Sequence, residues 1–241
     1  MYKNVPRLYT PHALGQGSDV SLSPEHSHYL RNVLRKSAGD SILFFNGKDG
    51  EWLCSITVLE KKRGVCKVEK QTREQTRTDA PLILFFAPVK KNQTDFIIQK
   101  ATELGVDEIC PIITDHSNSQ KIRTDRWLTI AIEAAEQSER LSVPGIADLV
   151  QLKTAVKNFP ENGQLVIGME RAEDAPAPEF HSDKPVGLVI GPEGGFSDEE
   201  IEFFQKGERF TPVSFGPTVL RAETAAVAGL GILQFLRRTS S

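Results

Sequence analysis

Cysteine is scarce in this 241-residue chain: Cys54, Cys66 and Cys110 are the whole set, with no C-x-x-C spacing. An odd, scattered trio argues against a disulfide framework and a thiolate zinc site, and suits a reducing compartment where thiols serve as small buried apolar residues. Long apolar runs are missing as well. The longest, such as 81–89, are too short to cross a bilayer and nothing resembles a signal peptide, so a cytoplasmic protein without membrane attachment is expected. Histidines do not cluster. His26 and His28 stand two apart, which on a helix points them in different directions, and His12, His116 and His181 are isolated. No metal site is expected. The chain also lacks G-x-G-x-x-G, G-K-[ST] and G-x-S-x-G, the fingerprints of dinucleotide, nucleoside triphosphate and serine-hydrolase sites, and it has no internal repeat.

What is present is a soluble, globular composition, 39% hydrophobic and 25% charged, long enough for one large domain or two smaller ones. The net charge of -3 conceals an asymmetry. Residues 1–78 hold 13 Lys/Arg against 8 Asp/Glu, a balance of +5, and residues 79–241 hold 16 against 24, a balance of -8. A basic front beside an acidic back points to a polyanion gripped by the front, although such charges also serve as ordinary solvated surface.

Two organisations follow one another along the chain. Strand-like runs flank Asn46–Gly47 and Asp49–Gly50, both common hairpin-turn pairs. Before them, Ser23 can cap a helix with Pro24 at its first position and Gly39 as its stop. That helix would bury Leu30, Val33 and Leu34 and set Arg31 and Arg35 one turn apart. Residues 1–73 therefore read as a small β-rich module, with "TREQTRTDA" as the linker. Residues 74–241 alternate strand and helix: "PLILFFAPV", "TDFIIQKATELG", "EICPII", a helix through "DRWLTIAIEAAEQSERL", "GQLVIGM", "PVGLVIG", a helix from Ser197, "FTPVSFG", and a helix "ETAAVAGLGILQFLRR". Alternation of this kind predicts a mainly parallel sheet covered by helices, with ligands at the carboxyl ends of its strands. The stretch 171–185 reads as a proline-containing surface loop.

Three strand ends carry ligand-like loops. "VIGPEGGFSDEE" places Gly191–Phe196 after a core strand, with Ser197 and Glu200 in capping-box spacing. Glycine lets backbone groups approach a ligand closely, while Pro192 removes a donor and Glu193 repels phosphate. A ligand with polar edges and little negative charge fits this loop, and a plain tight turn is the alternative. Gly168 ends a second strand, and Gly216–Pro217 follows a third. Arg221 then stands at a helix start with Glu223 in the first turn, where a carboxylate favours the dipole. The small residues Ala222, Ala225, Ala226 and Gly229 form a smooth helix face, suited to core packing or to a subunit contact.

"PRLYT", "HYLRNVLR", "FNGKDGEW", "KATELGVDEICPIITDHSN", "EAAEQSERLSVP", "IGPEGGFS" and "VLRAETAA", in this order over nearly the full chain, resemble the ribosomal RNA small subunit methyltransferase E family of the SPOUT superfamily. The resemblance implies a PUA-like β-barrel over 1–73, with an α/β domain knotted as a deep trefoil over 74–241. It implies S-adenosylmethionine as methyl donor, a homodimer, and N3-methylation of a uridine of 16S rRNA (conventionally position 1498) in the assembled 30S subunit. By similarity the cofactor pocket takes Gly168 and Met169, then Ile190, Gly191, Pro192, Glu193, Gly194, Gly195 and Phe196. From the last stretch it takes Ser214, Phe215, Gly216, Val219, Leu220, Thr224 and Ala225. RNA contacts fall to Arg7, His28, Arg31, Asn32, Arg35, Lys90, Lys91 and Arg140. This chain departs from the pattern at Asp115–His116, where a Glu-Arg pair is common, and at Pro217–Thr218 before the Leu-Arg.

Methylating uracil N3 requires loss of its proton, exposure of the nitrogen lone pair to the methyl group, and stabilisation of charge spread over O2 and O4. Arg221 is the candidate for that stabilisation, being permanently charged and rich in donors. Glu223 either takes the proton or holds Arg221 and the helix start, with Glu193 as a further base. The target base has to leave its stack. Two rivals remain: a non-enzymatic RNA-binding or assembly factor, and a dinucleotide-type enzyme, which the missing fingerprint disfavours.

Overall fold

The computed structural model describes residues 5–76, 79–117, 122–170, 183–207 and 209–239. Most of the expected surface loop 171–185, His181 included, lies outside them, as does part of the linker. The chain divides into two compact units, residues 1–77 with 135–143, and residues 78–134 with 144–241. The segment 135–143, expected with the second domain, thus belongs to the first unit.

In the first unit, β1 (Arg7–Tyr9), β2 (Asp19–Leu22), β3 (Ser41–Phe45), β4 (Glu51–Leu59) and β5 (Gly64–Arg73) form one sheet ordered β1-β3-β4-β5-β2. β1 runs parallel to β3 and the remaining pairs are antiparallel. The hairpin expected at 46–50 joins β3 to β4, and Asn46 shapes it by accepting the Lys48 and Asp49 N–H groups at 3.0 and 2.8 Å. Inward residues such as Val20, Leu30, Phe44, Ile56 and Val68 make the core, and Cys54 and Cys66 lie among them. Burial pushes the thiols of Cys54, Cys66 and Cys110 up to about 12, so at neutral pH they are inert apolar fillers.

The helix between β2 and β3 differs from expectation. Ser23 caps it, accepting the His26 N–H at 3.1 Å with Pro24 in the first turn, but the α-helix α1 covers only Pro24–His28. A π-helical turn, Tyr29–Val33, follows and closes on Leu34 N–H to Tyr29 O at 3.0 Å. The wider turn rotates Val33 into solvent at 59% exposure, so Leu30 and Leu34 carry the apolar contact without it. The chain leaves the helix at Arg35, whose φ of 54° is left-handed, before Gly39 is reached. Arg31 and Arg35 are therefore not one α-helical turn apart.

Arg7 is a second correction. Its side chain, expected on the RNA surface, is 8% exposed, with Nε donating to Glu51 at 2.6 Å. The guanidinium stacks 3.8 Å over the Phe45 ring and donates to the carbonyls of Ala135 and Arg140. Tyr9 N–H also reaches Glu136 at 2.9 Å, so β1 is tied to 135–143 by side chains of both. Burial pulls the Arg7 guanidinium below its usual value and the Glu51 carboxylate opposes the fall. Arg7 fastens the unit and offers no surface to RNA.

In the second unit, β6 (Leu82–Phe86), β7 (Glu108–Ile113), β8 (Gly145–Ile146), β9 (Val150–Gln151), β10 (Gln164–Gly168), β11 (Val186–Ile190) and β12 (Phe210–Val213) pair in parallel. The order is β12-β10-β11-β6-β7-β8, with β9 also against β7. β6 and β11 are buried at every position, as strands covered on both faces must be. The helices are α2 (Lys91–Glu103), α3 (Thr124–Gln137, whose residues from 135 on count with the first unit), α4 (Leu152–Asn158), α5 (Asp198–Gln205) and α6 (Ala222–Thr239). α3 stops short of its expected end, with Glu139 left-handed at φ 58°. β8, β9 and α4 are too short and too weakly patterned to have been expected.

Candidate active site

The carboxyl ends of β10, β11 and β12 lie level. Gly168 pairs with Ile190 on one side and Val213 on the other, and Met169 N–H donates to Val213 O at 2.9 Å. The loops beginning at 168, 191 and 214 leave this edge together and enclose a cavity of about 590 Å³. All three loops singled out in the sequence thus meet at one place.

Each loop has a local reason for its shape. A Cβ at Gly168 would stand 2.9 Å from both Ile190 Cδ1 and the Phe215 ring, so glycine is what lets the neighbouring strands close on this end. Gly195 adopts φ 69° in a turn closed by its N–H to Pro192 O at 3.0 Å, a conformation in which a β-carbon is strained. Ser197 then caps α5 in a complete capping box with Glu200, as its spacing predicts. Phe196 turns from the loop into the core and meets Phe204 edge-on at 5.1 Å. In the third loop Ser214 Oγ donates to Gly216 O at 3.0 Å.

The lining contains Gly168, Met169, Ile190, every residue from Gly191 to Phe196, Ser214, Phe215, Val219, Leu220 and Ala225. Gly216 and Thr224 do not line it. Thr218, within the expected stretch 214–220, lines it too, and Glu170, Ile201, Gln205 and Ala222 line it and were missed. Ile201 and Gln205 share one face of α5 at i, i+4, a position that follows once the Ser197 cap fixes the helix start. The apolar walls (Ile190, Phe196, Leu220) carry few side-chain charges: Glu170, Glu193 and Arg221.

Arg221 is exposed and faces the cavity, and among the described residues its guanidinium pairs with neither Glu193 nor Glu223. Its backbone carbonyl accepts Ala225 N–H at 2.8 Å as the first bond of α6. Glu193 is exposed on the cavity wall, whereas Glu223, in the first turn of α6, is off it. The small face of α6 is core: a Cβ at Gly229 would lie 2.8 Å from Leu188 and Phe215, and Ala222 and Ala226 are buried.

The expected RNA contacts separate by environment. In the first unit His28, Arg31, Asn32 and Arg35 are all exposed on the segment that includes the π turn. Arg140 is half-buried and donates to Ser142 Oγ at 3.3 Å. In the second unit Lys90 and Lys91 are exposed at the start of α2. Among the described residues no cluster of three or more His, Cys, Asp or Glu side chains is disposed to hold a metal, and no helix is long and apolar enough to cross a membrane.

Comparison with known proteins accounts for this arrangement. Residues 76–234 match the RNA methyltransferase domain and residues 22–69 the RNA methyltransferase PUA domain. The ribosomal RNA small subunit methyltransferase E of Rickettsia conorii is 30% identical, covering 95% of each chain. The protein of that name from Buchnera aphidicola subsp. Schizaphis graminum is 30% identical over 97% of each. Among solved structures, the S-adenosylmethionine-bound methyltransferase E of Neisseria gonorrhoeae superposes with a TM-score of 0.84 at 29% identity, over 97% of this chain and 98% of that one. A putative methyltransferase of Legionella pneumophila with bound S-adenosylmethionine gives 0.81 at 33% identity, over 96% and 98%. With a PUA-like first unit, a parallel α/β second unit and a cavity at the level ends of three strands, the chain belongs to the ribosomal RNA small subunit methyltransferase E family.

Proposed function

We propose that this chain is an S-adenosylmethionine-dependent methyltransferase that modifies N3 of a uridine in 16S rRNA, on the 30S subunit. The observation that carries the reading is the convergence of the loops at 168, 191 and 214 on one cavity, with the unpaired Arg221 on its wall. The residues present fit the cofactor. A cavity of about 590 Å³ lies within the span of small-molecule sites, roughly 300–1,000 Å³. Its apolar walls suit an adenine ring, and the backbone of the 191–195 loop offers polar groups to its edges. Glu170 and Glu193 suit a ligand whose net charge is not negative.

When bound, S-adenosylmethionine supplies an electrophilic methyl group on a sulfonium. The chain's own residues do the rest. The loop backbone orients the cofactor, and Arg221 donates to uracil O2 or O4 as charge develops there. Glu193, which lines the wall together with Glu170, is our candidate to take the N3 proton, and Glu223 favours the α6 N-terminus. This assignment takes the structural alternative for Glu223 and the further base, Glu193, for the proton. His28, Arg31, Asn32 and Arg35 grip phosphates from the first unit, and Lys90 and Lys91 from the second.

The reading extends to a PUA-like β-barrel, a trefoil knot in the second unit, a cytoplasmic location and a homodimer. The knot is supported by the resemblance alone. The dimer is supported by apolar side chains left in solvent on α6, Ile232 at 45% and Phe235 at 67% exposure. Methyl transfer to purified 30S subunits and to free 16S rRNA, with the methylated base identified by mass spectrometry, tests the function. N3-methyluridine on the 30S substrate supports it, and transfer to another base or to neither substrate refutes it.

A further inference from the structure

The turn that follows β7, residues 114–117, is bonded to the loop 191–197 through Asp115 and His116. His116 Nδ1 lies 3.1 Å from Gly194 O. A carbonyl has no hydrogen to give, so Nδ1 carries the proton, and it remains a donor in both the neutral ring and the imidazolium. Asp115 Oδ2 accepts the Ser197 hydroxyl at 2.5 Å. Beneath them Glu200, 3% exposed, accepts Asp115 N–H on Oε1 at 3.1 Å and Ser197 N–H on Oε2 at 3.0 Å. The absence of a side chain at Gly194 makes room for the ring, since a Cβ there would stand 3.3 Å from His116 Cβ.

From this geometry we infer that Asp115 and His116 are positioning residues that clasp the cofactor loop, rather than contacts to RNA. The inference rests on the reading that the cavity seats S-adenosylmethionine. The loop needs outside support: it holds three glycines in five residues, and free glycine backbone loses more entropy on ordering than any other. Its one internal backbone bond is Gly195 N–H to Pro192 O. The two side chains of the clasp grip it on either side of Gly195 and Phe196, which line the cavity. Neither Asp115 nor His116 lines the cavity, so they act through the loop and touch no reacting atom. Both side chains are exposed, so removing either need not disturb the core.

Calorimetric titration of S-adenosylmethionine into the full chain tests the clasp. His116→Ala and Asp115→Ala should each weaken binding roughly 10-fold, the order of one lost hydrogen bond, with thermal midpoints near wild type. His116→Asn should recover most of the affinity, because its amide nitrogen stands close to the position of Nδ1 and also donates. With 30S subunits as substrate, the alanine variants should raise the KM for S-adenosylmethionine and leave the KM for subunits unchanged. Gly195→Val, inside the cavity, is the control. If it binds normally, the cavity assignment fails and takes the clasp with it. If Gly195→Val binds weakly while the Asp115 and His116 variants bind normally, the clasp alone is overturned. A rise confined to the KM for subunits overturns it too, in favour of an RNA contact.

Discussion

Arg221 stands exposed on the cavity wall with no carboxylate partner among the described residues, which separates two roles for it. A guanidinium that fastened the loop would be paired with Glu193 or Glu223; this one is free to meet a substrate. Arg221→Lys keeps the charge and loses the planar donor fork. It should retain cofactor affinity and lose about 2.7 kcal/mol or more of transition-state stabilisation, about 100-fold in single-turnover rate. A near-normal rate with enzyme and cofactor saturating removes Arg221 from the mechanism. Glu193→Gln should likewise slow the step even with cofactor saturating, and Glu223→Gln should not slow it. Slowing in Glu223→Gln alone would return the base to α6. Of the side chains at the cavity, most on the three loops were legible because glycine and proline punctuate strand ends, Glu170 being the exception. Ile201 and Gln205 were not singled out, since a helix face turns toward a cavity only once the helix is packed. Whether Arg221 had a partner was illegible as well, because pairing depends on rotamers rather than spacing.

At the scale of elements, the segment 24–35 shows where periodicity misleads. Its apolar spacing reads equally as α-helix, and the π turn that moves Val33 into solvent has no sequence signal of its own. Ser23, Pro24 and the capping box of Ser197 and Glu200 were readable because each rests on a hydrogen bond between near neighbours. Arg35 is held at φ 54°, where a β-carbon costs about 1–2 kcal/mol. Arg35→Gly should therefore stabilise the protein by roughly 0.5–1 kcal/mol in urea titration, the added unfolded-state entropy of glycine offsetting part of the relief. Loss of stability would show that the arginine side chain supports the turn. Arg31→Ala combined with Arg35→Gly should flatten the salt dependence of 30S binding, because each lost phosphate contact releases fewer counterions. An unchanged slope would make both residues plain surface charge. The strand order β12-β10-β11-β6-β7-β8 was invisible in the alternation of strands and helices, because each strand's neighbours are chosen by long-range packing.

For the molecule as a whole, the chain's basic front proved a poor guide to individual contacts. Arg7 contributes to that charge but is spent on Glu51, the Phe45 ring and two carbonyls of 135–143. Arg7→Ala leaves Glu51 buried without that partner and should destabilise the first unit by about 3–5 kcal/mol, seen as an early transition on denaturation. A single unshifted transition would contradict that role. The dimer proposal now depends on Ile232 and Phe235, since the small face of α6 is filled by Leu188 and Phe215. Light scattering at micromolar concentration should return about twice 26.7 kDa, and Phe235→Glu should return the monomer. A wild-type mass of 26.7 kDa would refute the dimer.

The central claim is that this cavity delivers a methyl group to one uridine nitrogen of the small subunit. Its most direct measurement is single-turnover transfer from labelled S-adenosylmethionine to unmethylated 30S subunits, followed by nuclease digestion and mass spectrometry of the nucleosides. The account predicts about one methyl group per subunit, carried on uridine N3, with the burst slowed about 100-fold in Arg221→Lys. Label on any other base, or a burst of normal rate in Arg221→Lys, would contradict it.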